Sequence, residues 1–156
     1  MGVTDDDRYW MQQAYAAAVK AGARGEVPVG AVLVDENNQL LSITGNQMIN
    51  STDATAHAEI LAIREAGIQL NNYRLANTTL YVTLEPCCMC AGALIQARIK
   101  RLVYATRDLQ AGAAGSVFNL LHARGLNHKI SLDEGVMQAE CSALLTDFFK
   151  QRRNSS

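Results

Sequence analysis

Apolar and small side chains recur every three or four positions near the start of the chain, at Trp10, Ala14 and Ala18. This spacing places them on one face of a helix. An acidic run at 5–7 precedes them, and negative charges stabilise the positive end of a helix. The pattern predicts a helix over 6–23.

Five runs of β-branched and apolar residues, bounded by turn residues, are typical of strands. The first two, 27–34 and 40–45, lie on either side of a turn at Asn37 and Asn38 and indicate a hairpin. The remaining strands are predicted at 80–84, 102–105 and 130–132.

Helical spacing returns between and after these strands. Pro86 favours the first turn of a helix, because its fixed φ suits that position. The predicted helices span 56–65, 86–97, 117–122 and 137–152. Consecutive strand–helix units followed by a further strand predict a partly parallel α/β sheet with helices on both faces.

The composition fits an ordinary globular chain of 156 residues, with 49% hydrophobic and 19% charged residues. We expect a single domain over 1–156 with a frayed C-terminal end. No run approaches the roughly 18 apolar residues of a membrane span, and the N-terminus does not resemble a secretion signal. These features predict a cytoplasmic protein with no membrane contact.

The net charge of −1 is unevenly distributed along the sequence. Residues 1–97 include 5 basic and 10 acidic side chains, whereas residues 98–156 include 9 basic and 5 acidic ones. The second part is therefore the candidate surface for a polyanion, although ordinary solvated surface explains so small an excess equally well.

A loop rich in Gly and Ala over 107–116 is a candidate functional loop.

Three of the four cysteines lie close together, at Cys87, Cys88 and Cys90, whereas Cys141 is remote. This clustering favours a metal or redox site over two disulfides. On a helix, residues 87 and 90 share a face and Cys88 is turned away. The pair is compatible with a structural zinc half-site, a redox pair or a catalytic zinc site.

A structural zinc ion needs four protein ligands. Cys141 is expected to be a buried thiol on an amphipathic helix, which leaves His122 and His128 as possible fourth ligands. If His57 is the third ligand, one position stays open for water, as catalytic zinc requires. Glu59 is then a candidate proton acceptor if it and His57 flank a helix end; otherwise it is a favourable charge in a first helical turn.

Two motifs, His57-Ala58-Glu59 and Pro86-Cys87-Cys88-Met89-Cys90, match the His-x-Glu and Pro-Cys-x-x-Cys pattern of zinc nucleobase deaminases. The chain resembles the bacterial tRNA-specific adenosine deaminases along nearly its whole length. The resemblance rests on EVPVGAV at 26–32, TAHAEI at 55–60, YVTLEPC at 81–87 and GAAGS at 112–116.

The resemblance implies a three-layer α/β/α cytidine-deaminase-like fold with a central mixed five-stranded sheet, and a homodimer. It implies one Zn²⁺ per subunit, held by His57, Cys87 and Cys90. The expected reaction converts adenosine to inosine at the wobble position of a tRNA anticodon stem-loop. Zinc-activated hydroxide would attack C6 of adenine, and Glu59 would shuttle the proton.

The same resemblance assigns substrate contacts. It places Asn46 and Ala58 at the nucleoside and Asp108 at the sugar or its neighbour, although an Asn ending a strand is also an ordinary turn residue. Arginine in a last helical turn likewise suits the helix C-terminus without binding RNA. The candidate RNA contacts are Phe149, Arg152 and Arg153, with Arg107 and Arg98 as weaker ones.

Four positions depart from the family pattern. Ala54 replaces a usual Pro, and Thr106 and Gln110 stand where a small residue and a Lys are expected. Loss of that Lys would weaken RNA binding, since each phosphate contact contributes to affinity. Cys88 replaces an apolar residue and is expected to be buried instead of binding metal.

Three other functions remain open at this point. A related deaminase would act on a free base such as guanine, cytosine or a pterin-like ring; Gly112 to Ser116 and the basic last helix favour RNA instead. A non-catalytic RNA-binding module would use zinc structurally, but it has no use for Glu59. A redox enzyme would cycle Cys87 and Cys90 through a disulfide.

Overall fold

The computed structural model describes residues 2–123, 125 and 128–155. Its strands are β1 Gly30–Val34, β2 Leu40–Gly45, β3 Thr79–Leu84, β4 Arg101–Thr106 and β5 Ser131–Glu134. Its helices are α1 Asp5–Ala23, α2 Ala58–Leu70, α3 Cys88–Gln96 and α4 Gln138–Ser155, with a short 3₁₀ helix at Leu120–His122. No helix within these described ranges is long and apolar enough to cross a membrane.

The five strands form one sheet in the order β2-β1-β3-β4-β5. Strand β1 pairs antiparallel with both β2 and β3, whereas β3, β4 and β5 run parallel. The sheet is therefore mixed, as predicted. The parallel strands all finish at one end of the sheet, where the chain turns into the loops after β3 and β4.

Side chains alternate between two cores along the central strands, because successive residues of a strand face opposite sides. Val32 and Tyr81 pack with Trp10 and Met11 of α1, on the face that also receives Cys141 of α4. Their neighbours along the strands pack mainly against the small residues of α2 and α3. The predicted three-layer α/β/α fold, with helices on both faces, is confirmed.

Helix α1 begins with a capping box, in which Thr4 and Asp7 each accept a hydrogen bond from the other's backbone amide. The helix lies so close to β1 that a Cβ on Gly30 would come within 2.0 Å of the Ala14 carbonyl oxygen. Only glycine fits there. The contact fixes α1 against the sheet.

A buried ion pair joins α1 to the start of the parallel strands. The Arg101 guanidinium donates to both carboxylate oxygens of Asp7 at 2.8 and 2.9 Å, and to Asp133 on β5 at 2.8 Å. The hydroxyl of Tyr81 also donates to Asp7, at 2.6 Å. This polar cluster occupies the end of the sheet opposite the loops after β3 and β4.

Several predicted element boundaries are wrong. The strand predicted over 27–34 begins at Gly30, because a tight turn holds 27–29, with the Val29 amide donating to the Val27 carbonyl. The helix predicted over 56–65 begins later and continues to Leu70, and left-handed Asn71 ends it. The last helix, predicted over 137–152, spans Gln138–Ser155.

Two shorter elements also differ from their predicted bounds. The helix predicted from Pro86 begins at Cys88, because Cys87 is still extended at the N-cap. The predicted helix over 117–122 shrinks to Leu120–His122. The loop before it is instead tied back to Gly112, whose carbonyl accepts from the amides of Val117 and Phe118.

Candidate active site

A small pocket of about 150 Å³ lies at the end of the sheet where β3 and β4 finish. Ligands of open α/β sheets commonly bind at this end of the strands. The loop before β1, the end of β2 and the first turns of α2 and α3 complete its walls. The lining residues are Val27, Val29, Asn46, Met48, His57, Glu59, Leu84, Glu85, Cys87 and Asp108.

Three potential metal ligands meet beside this pocket. His57 and Cys87 are the extended N-cap residues of α2 and α3, so their side chains leave the helix ends instead of following the helix surfaces. Cys90 is the third residue of α3, and N-cap and N3 side chains lie side by side in an α-helix. The two cysteine side chains therefore meet because one is the N-cap and the other the third residue of α3. The sequence had indicated instead that they share one face of a helix.

The distances among these ligands suit a tetrahedral ion. The Nδ1 atom of His57 lies 3.7 Å from Cys87 Sγ and 3.6 Å from Cys90 Sγ. Zinc bonds of about 2.1 Å to nitrogen and 2.3 Å to sulfur would place tetrahedral ligands roughly 3.6 Å apart. Two thiols and an imidazole are also a donor set that zinc prefers. The residues present therefore fit zinc.

The protonation of the triad favours a metal-binding thiolate. The pKa of Cys87 is lowered to about 3, because Cys90 and then His57 donate hydrogen bonds to its sulfur. The same contact raises the pKa of Cys90, the donor, and the bond to Cys87 raises the pKa of His57. The start of a helix further stabilises negative charge at Cys87.

Glu59 lies within the first turn of α2 and is only 4% exposed. Because His57 lies outside the regular helix, residues 57 and 59 both line the pocket even though residues two apart on a helix diverge. Burial raises the pKa of Glu59 to about 7. A carboxyl group in such surroundings is suited to accepting and returning a proton.

Asn46 directly follows β2, and both the oxygen and the nitrogen of its side-chain amide form hydrogen bonds with the backbone. Its Oδ1 accepts from the Ala58 backbone amide at 2.8 Å, and its Nδ2 donates to the Val27 carbonyl at 3.1 Å. A side-chain amide nitrogen carries two hydrogens, so one remains for a further acceptor, and Asn46 lines the pocket. Ala58 is fully buried, and its side chain is not among the described residues that line the pocket. Its backbone amide instead donates the hydrogen bond that holds Asn46.

Asp108 reaches the pocket because a buried carboxylate holds its loop. Glu85, which is 2% exposed, accepts from the backbone amides of Asp108, Ala114 and Ser116 at 2.9–3.1 Å, and from the Ser116 hydroxyl. A Cβ on Gly112 would lie 2.4 Å from Glu85 Cδ, so glycine is required there. Glu85 had no predicted role; its place between a strand and a cysteine motif was the available signal.

A wider groove of about 840 Å³ adjoins the pocket and shares Val27, Leu84 and Asp108 with it. Leu109, which was not among the predicted contacts, also lines this groove and is 78% exposed. We call it the helix groove, since α4 forms one wall. All four predicted RNA contacts line it: Arg107, Phe149, Arg152 and Arg153.

Hydrogen bonds join the helix groove to neighbouring elements. Arg107 forms an ion pair with Glu134 at 2.8 Å, and the other Glu134 oxygen accepts from the Tyr104 hydroxyl. Arg152 donates to the Gly25 carbonyl at 2.6 Å and lies over the Phe148 ring, 5.0 Å from its centroid. The α4 wall is thus connected to the loop before β1.

The remaining candidates lie elsewhere. His122 contacts Asn119 and His128 contacts the Ile99 carbonyl, and the only ligand cluster among the described residues is the triad. Arg98 adopts a left-handed turn after α3 and lines neither the pocket nor the helix groove.

The departures from the family pattern occupy different surroundings. Thr106 is buried in β4, Ala54 is exposed, and Gln110 lines the helix groove. Cys141 is buried, as predicted. The expectation that Cys88 is a buried apolar substitute is wrong: as the first residue of α3 it points outward and is exposed.

Comparison with known proteins agrees with this site. The sequence model of the cytidine and deoxycytidylate deaminase zinc-binding region matches residues 4–106. The tRNA-specific adenosine deaminase of Haemophilus influenzae is 48% identical over 94% of this chain and 85% of its own length. That of Bacillus subtilis is 41% identical over 97% of this chain and 92% of its own length.

A solved structure from a study of A-to-I editing by tRNA:A34 deaminases at the wobble position of transfer RNA has the same fold. It superposes with a TM-score of 0.85 at 40% identity, over 88% of this chain and 99% of that one. Together with the zinc-compatible triad, these similarities show that the chain belongs to the zinc-dependent cytidine and deoxycytidylate deaminase family.

Proposed function

We propose that this protein is a hydrolytic deaminase that converts adenosine to inosine at the wobble position of a tRNA anticodon. The observation that carries the proposal is the joining of a metal-ligand triad and a buried carboxylate in one small pocket, beside a groove lined by three arginines. Its relatives named tRNA-specific adenosine deaminases support the choice of substrate.

His57, Cys87 and Cys90 would hold one Zn²⁺ ion. Zinc held by three protein ligands lowers the pKa of water in its open position and so makes a nucleophile available at neutral pH. Glu59 would accept one proton from water as its oxygen bonds to C6 and would pass that proton to the adjacent ring nitrogen. It would then carry the second proton from the added oxygen to the amino group, which would leave as ammonia when the C6–N bond breaks.

The pocket would orient the base through groups that are already fixed. A volume of about 150 Å³ is well below the roughly 300–1,000 Å³ of pockets for drug-sized ligands, and it suits one base instead of a whole nucleotide. Asn46, with Ala58 behind it, would contact the nucleoside through its remaining Nδ2 hydrogen. Asp108, at the border of the pocket and the helix groove, would contact the sugar.

The target base must leave the stack of the anticodon loop to reach this pocket. Contacts in the helix groove would offset that cost: Phe149 is 45% exposed and offers a ring for base stacking. Arg107, Arg152 and Arg153 would contact phosphates. Gln110 replaces a cation in the same groove, so its contribution to affinity would be smaller.

The decisive experiment incubates zinc-loaded protein with a tRNA anticodon stem-loop that carries adenosine at the wobble position, and measures inosine by mass spectrometry. We expect inosine with the wild type and none with Glu59→Ala at unchanged zinc content. Turnover of free guanine or cytosine at a rate matching RNA would instead identify a free-base deaminase. Binding of the stem-loop without release of ammonia from any base would identify a non-catalytic module.

Assembly and location complete the proposal: a homodimer that acts on tRNA in the cytoplasm. Met89 on α3 and Val117 and Phe118 on the loop after β4 are 37–50% exposed, and such apolar surface is typical of protein interfaces. Helix α3 packs beside the 3₁₀ helix that follows this loop. Light scattering of the zinc-loaded protein would give a mass near twice 16.9 kDa.

A further inference from the structure

A second groove, of about 380 Å³, lies along the open edge of the sheet between α1 and α2. Strand β2 forms its floor, and we call it the edge groove. Three exposed cations line it. Lys20 lies on α1, Arg24 follows its last residue, and Arg64 lies on α2. Glu65 lines it as well, so the groove keeps a positive excess.

The placement of these cations contrasts with the charge of the sequence around them. Residues 1–97 contain 5 basic and 10 acidic side chains, yet three of those 5 basic residues meet in this one groove. The other two, Arg8 and Arg74, lie outside it. Local concentration of one sign of charge within an otherwise acidic half favours a polyanionic ligand.

Hydrogen bonds connect the edge groove to the pocket and to the helix groove. Arg24 reaches the Asn46 carbonyl oxygen at 3.4 Å, next to the pocket wall. Arg152 of the helix groove donates at 2.6 Å to the carbonyl of Gly25, the neighbour of Arg24 in sequence. The chain at Arg24 and Gly25 therefore lies between the two basic grooves and beside the pocket.

We propose that the edge groove binds the RNA backbone on the far side of the target base, so that the strand follows both basic grooves while the base enters the pocket between them. The proposal rests on the proposed function, since the ligand is the substrate RNA. Phosphates are attracted mainly by charge, and flexible exposed Lys and Arg side chains are sufficient for such contacts. Arg64 keeps 57% of its side chain exposed, and its contact with Asp53 at 3.8 Å is long enough to exchange for a phosphate.

The test compares two double variants that change the net charge equally. Lys20→Gln with Arg64→Gln removes two cations of the edge groove, whereas Arg8→Gln with Arg74→Gln removes the two basic residues of the same half that lie outside it. Arg24 stays unchanged because it touches Asn46. The zinc-loaded proteins are assayed on the anticodon stem-loop for KM, kcat and the salt dependence of binding.

We expect the edge-groove variant to raise KM roughly tenfold at unchanged kcat, and to reduce the slope of log K against log salt by about 1.4, as for two lost contacts to single-stranded RNA. The control variant should match the wild type, and Lys20→Arg with Arg64→Lys should retain affinity because charge is preserved. Equal weakening in both glutamine variants, or none in the edge-groove variant, would overturn the proposal. Absence of inosine with the wild type would refute the proposed function alone, because the salt dependence of RNA binding still tests the groove.

Discussion

Two buried carboxylates lie at opposite ends of the central sheet, and their surroundings differ. Asp7, where the parallel strands begin, accepts hydrogen bonds from Arg101, Tyr81 and the Thr4 amide. Burial alone would raise its pKa, but these donors outweigh it and lower the pKa to about 2. Glu59, where the strands finish, lines the pocket, and burial raises its pKa to about 7.

The difference teaches that burial alone does not decide what a carboxylate does. Donors that are fixed by the fold keep Asp7 ionised near neutral pH, so it exchanges no proton there and its contribution is to stability. Glu59 lies at a cavity, where few fixed donors oppose desolvation, so a proton can come and go. One end of the sheet is thereby specialised for stability and the other for chemistry.

The largest expected effect is on turnover at the pocket end. Glu59→Gln removes the proposed proton acceptor while keeping the shape of the side chain, so inosine formation should fall by at least about 10³-fold. Zinc content, measured by elemental analysis, should stay unchanged. Glu140→Gln, an exposed change on α4, is the control. Retained turnover in Glu59→Gln would show that another group moves the proton.

Asp7→Asn should lower stability and leave turnover unchanged, the opposite of the result for Glu59→Gln. It leaves the Arg101 guanidinium partly buried without its main partner, and breaking such a pair costs about 3 kcal/mol of unfolding free energy. Urea denaturation measures the loss, with exposed Asp6→Asn as control. Turnover per folded molecule should not change; a selective loss of turnover would remove the distinction between the two ends.

The pH dependence of stability should report Asp7 directly. Its folded pKa of about 2 lies below the ordinary value of 3.8, so its stabilising contribution is present above pH 4 and is lost as pH falls toward 2. The expected loss is about 2 kcal/mol, because lowering a pKa by one unit corresponds to about 1.4 kcal/mol. Denaturation of the wild type and Asp7→Asn should therefore converge over this range. Parallel curves would mean that Asp7 is not the group responsible.

A smaller effect on substrate affinity should follow from Glu85→Gln. Like Asp7, Glu85 is buried among fixed hydrogen-bond donors, and like Glu59 it lines the pocket. The amide NH₂ of Gln would face backbone amide donors in the loop after β4, which costs about 1.5 kcal/mol. Because that loop carries Asp108, KM for the stem-loop should rise several-fold while zinc content is kept. Glu85→Asp, which keeps the charge but is shorter, should recover part of the affinity. Unchanged KM would show that the loop holds its position without Glu85.

The smallest effect concerns Cys88. Since its thiol is exposed and outside the triad, Cys88→Ser should change the unfolding free energy by less than about 0.5 kcal/mol and keep the bound zinc. Cys87→Ser should lose zinc, as measured by elemental analysis. Loss of zinc in Cys88→Ser would assign that thiol a role in metal binding.

The sequence was sufficient where the determining pattern is local. Apolar periodicity predicts the four α-helices and five strands that the described residues form, although with shifted bounds. The His-x-Glu and Pro-Cys-x-x-Cys motifs indicate the residues that meet at the pocket. Each motif lies within a few residues of a helix start, so its geometry follows from short-range rules.

The sequence was insufficient where partners are distant. Arg101 and Asp7 are 94 residues apart, and Glu85 and Ser116 are 31 apart, so no periodicity connects them. The exposure of Cys88 depends on α3 beginning at that residue, later than Pro86 indicated. Successive side chains of an α-helix point about 100° apart, so the exposure of Cys88 follows from which face of α3 packs on the sheet, and that packing involves residues distant in the sequence.

The hydrogen bonds of Glu85 have a consequence for the order in which the chain folds during synthesis. Their side-chain and backbone donors at Asp108, Ala114 and Ser116 all follow Glu85 in the sequence. Until they leave the ribosome, burial of Glu85 would place a charge in the core without partners. We therefore expect the end of β3, and Cys87 beside it, to be buried only after the loop after β4 is made, so that the three zinc ligands would come together late in synthesis.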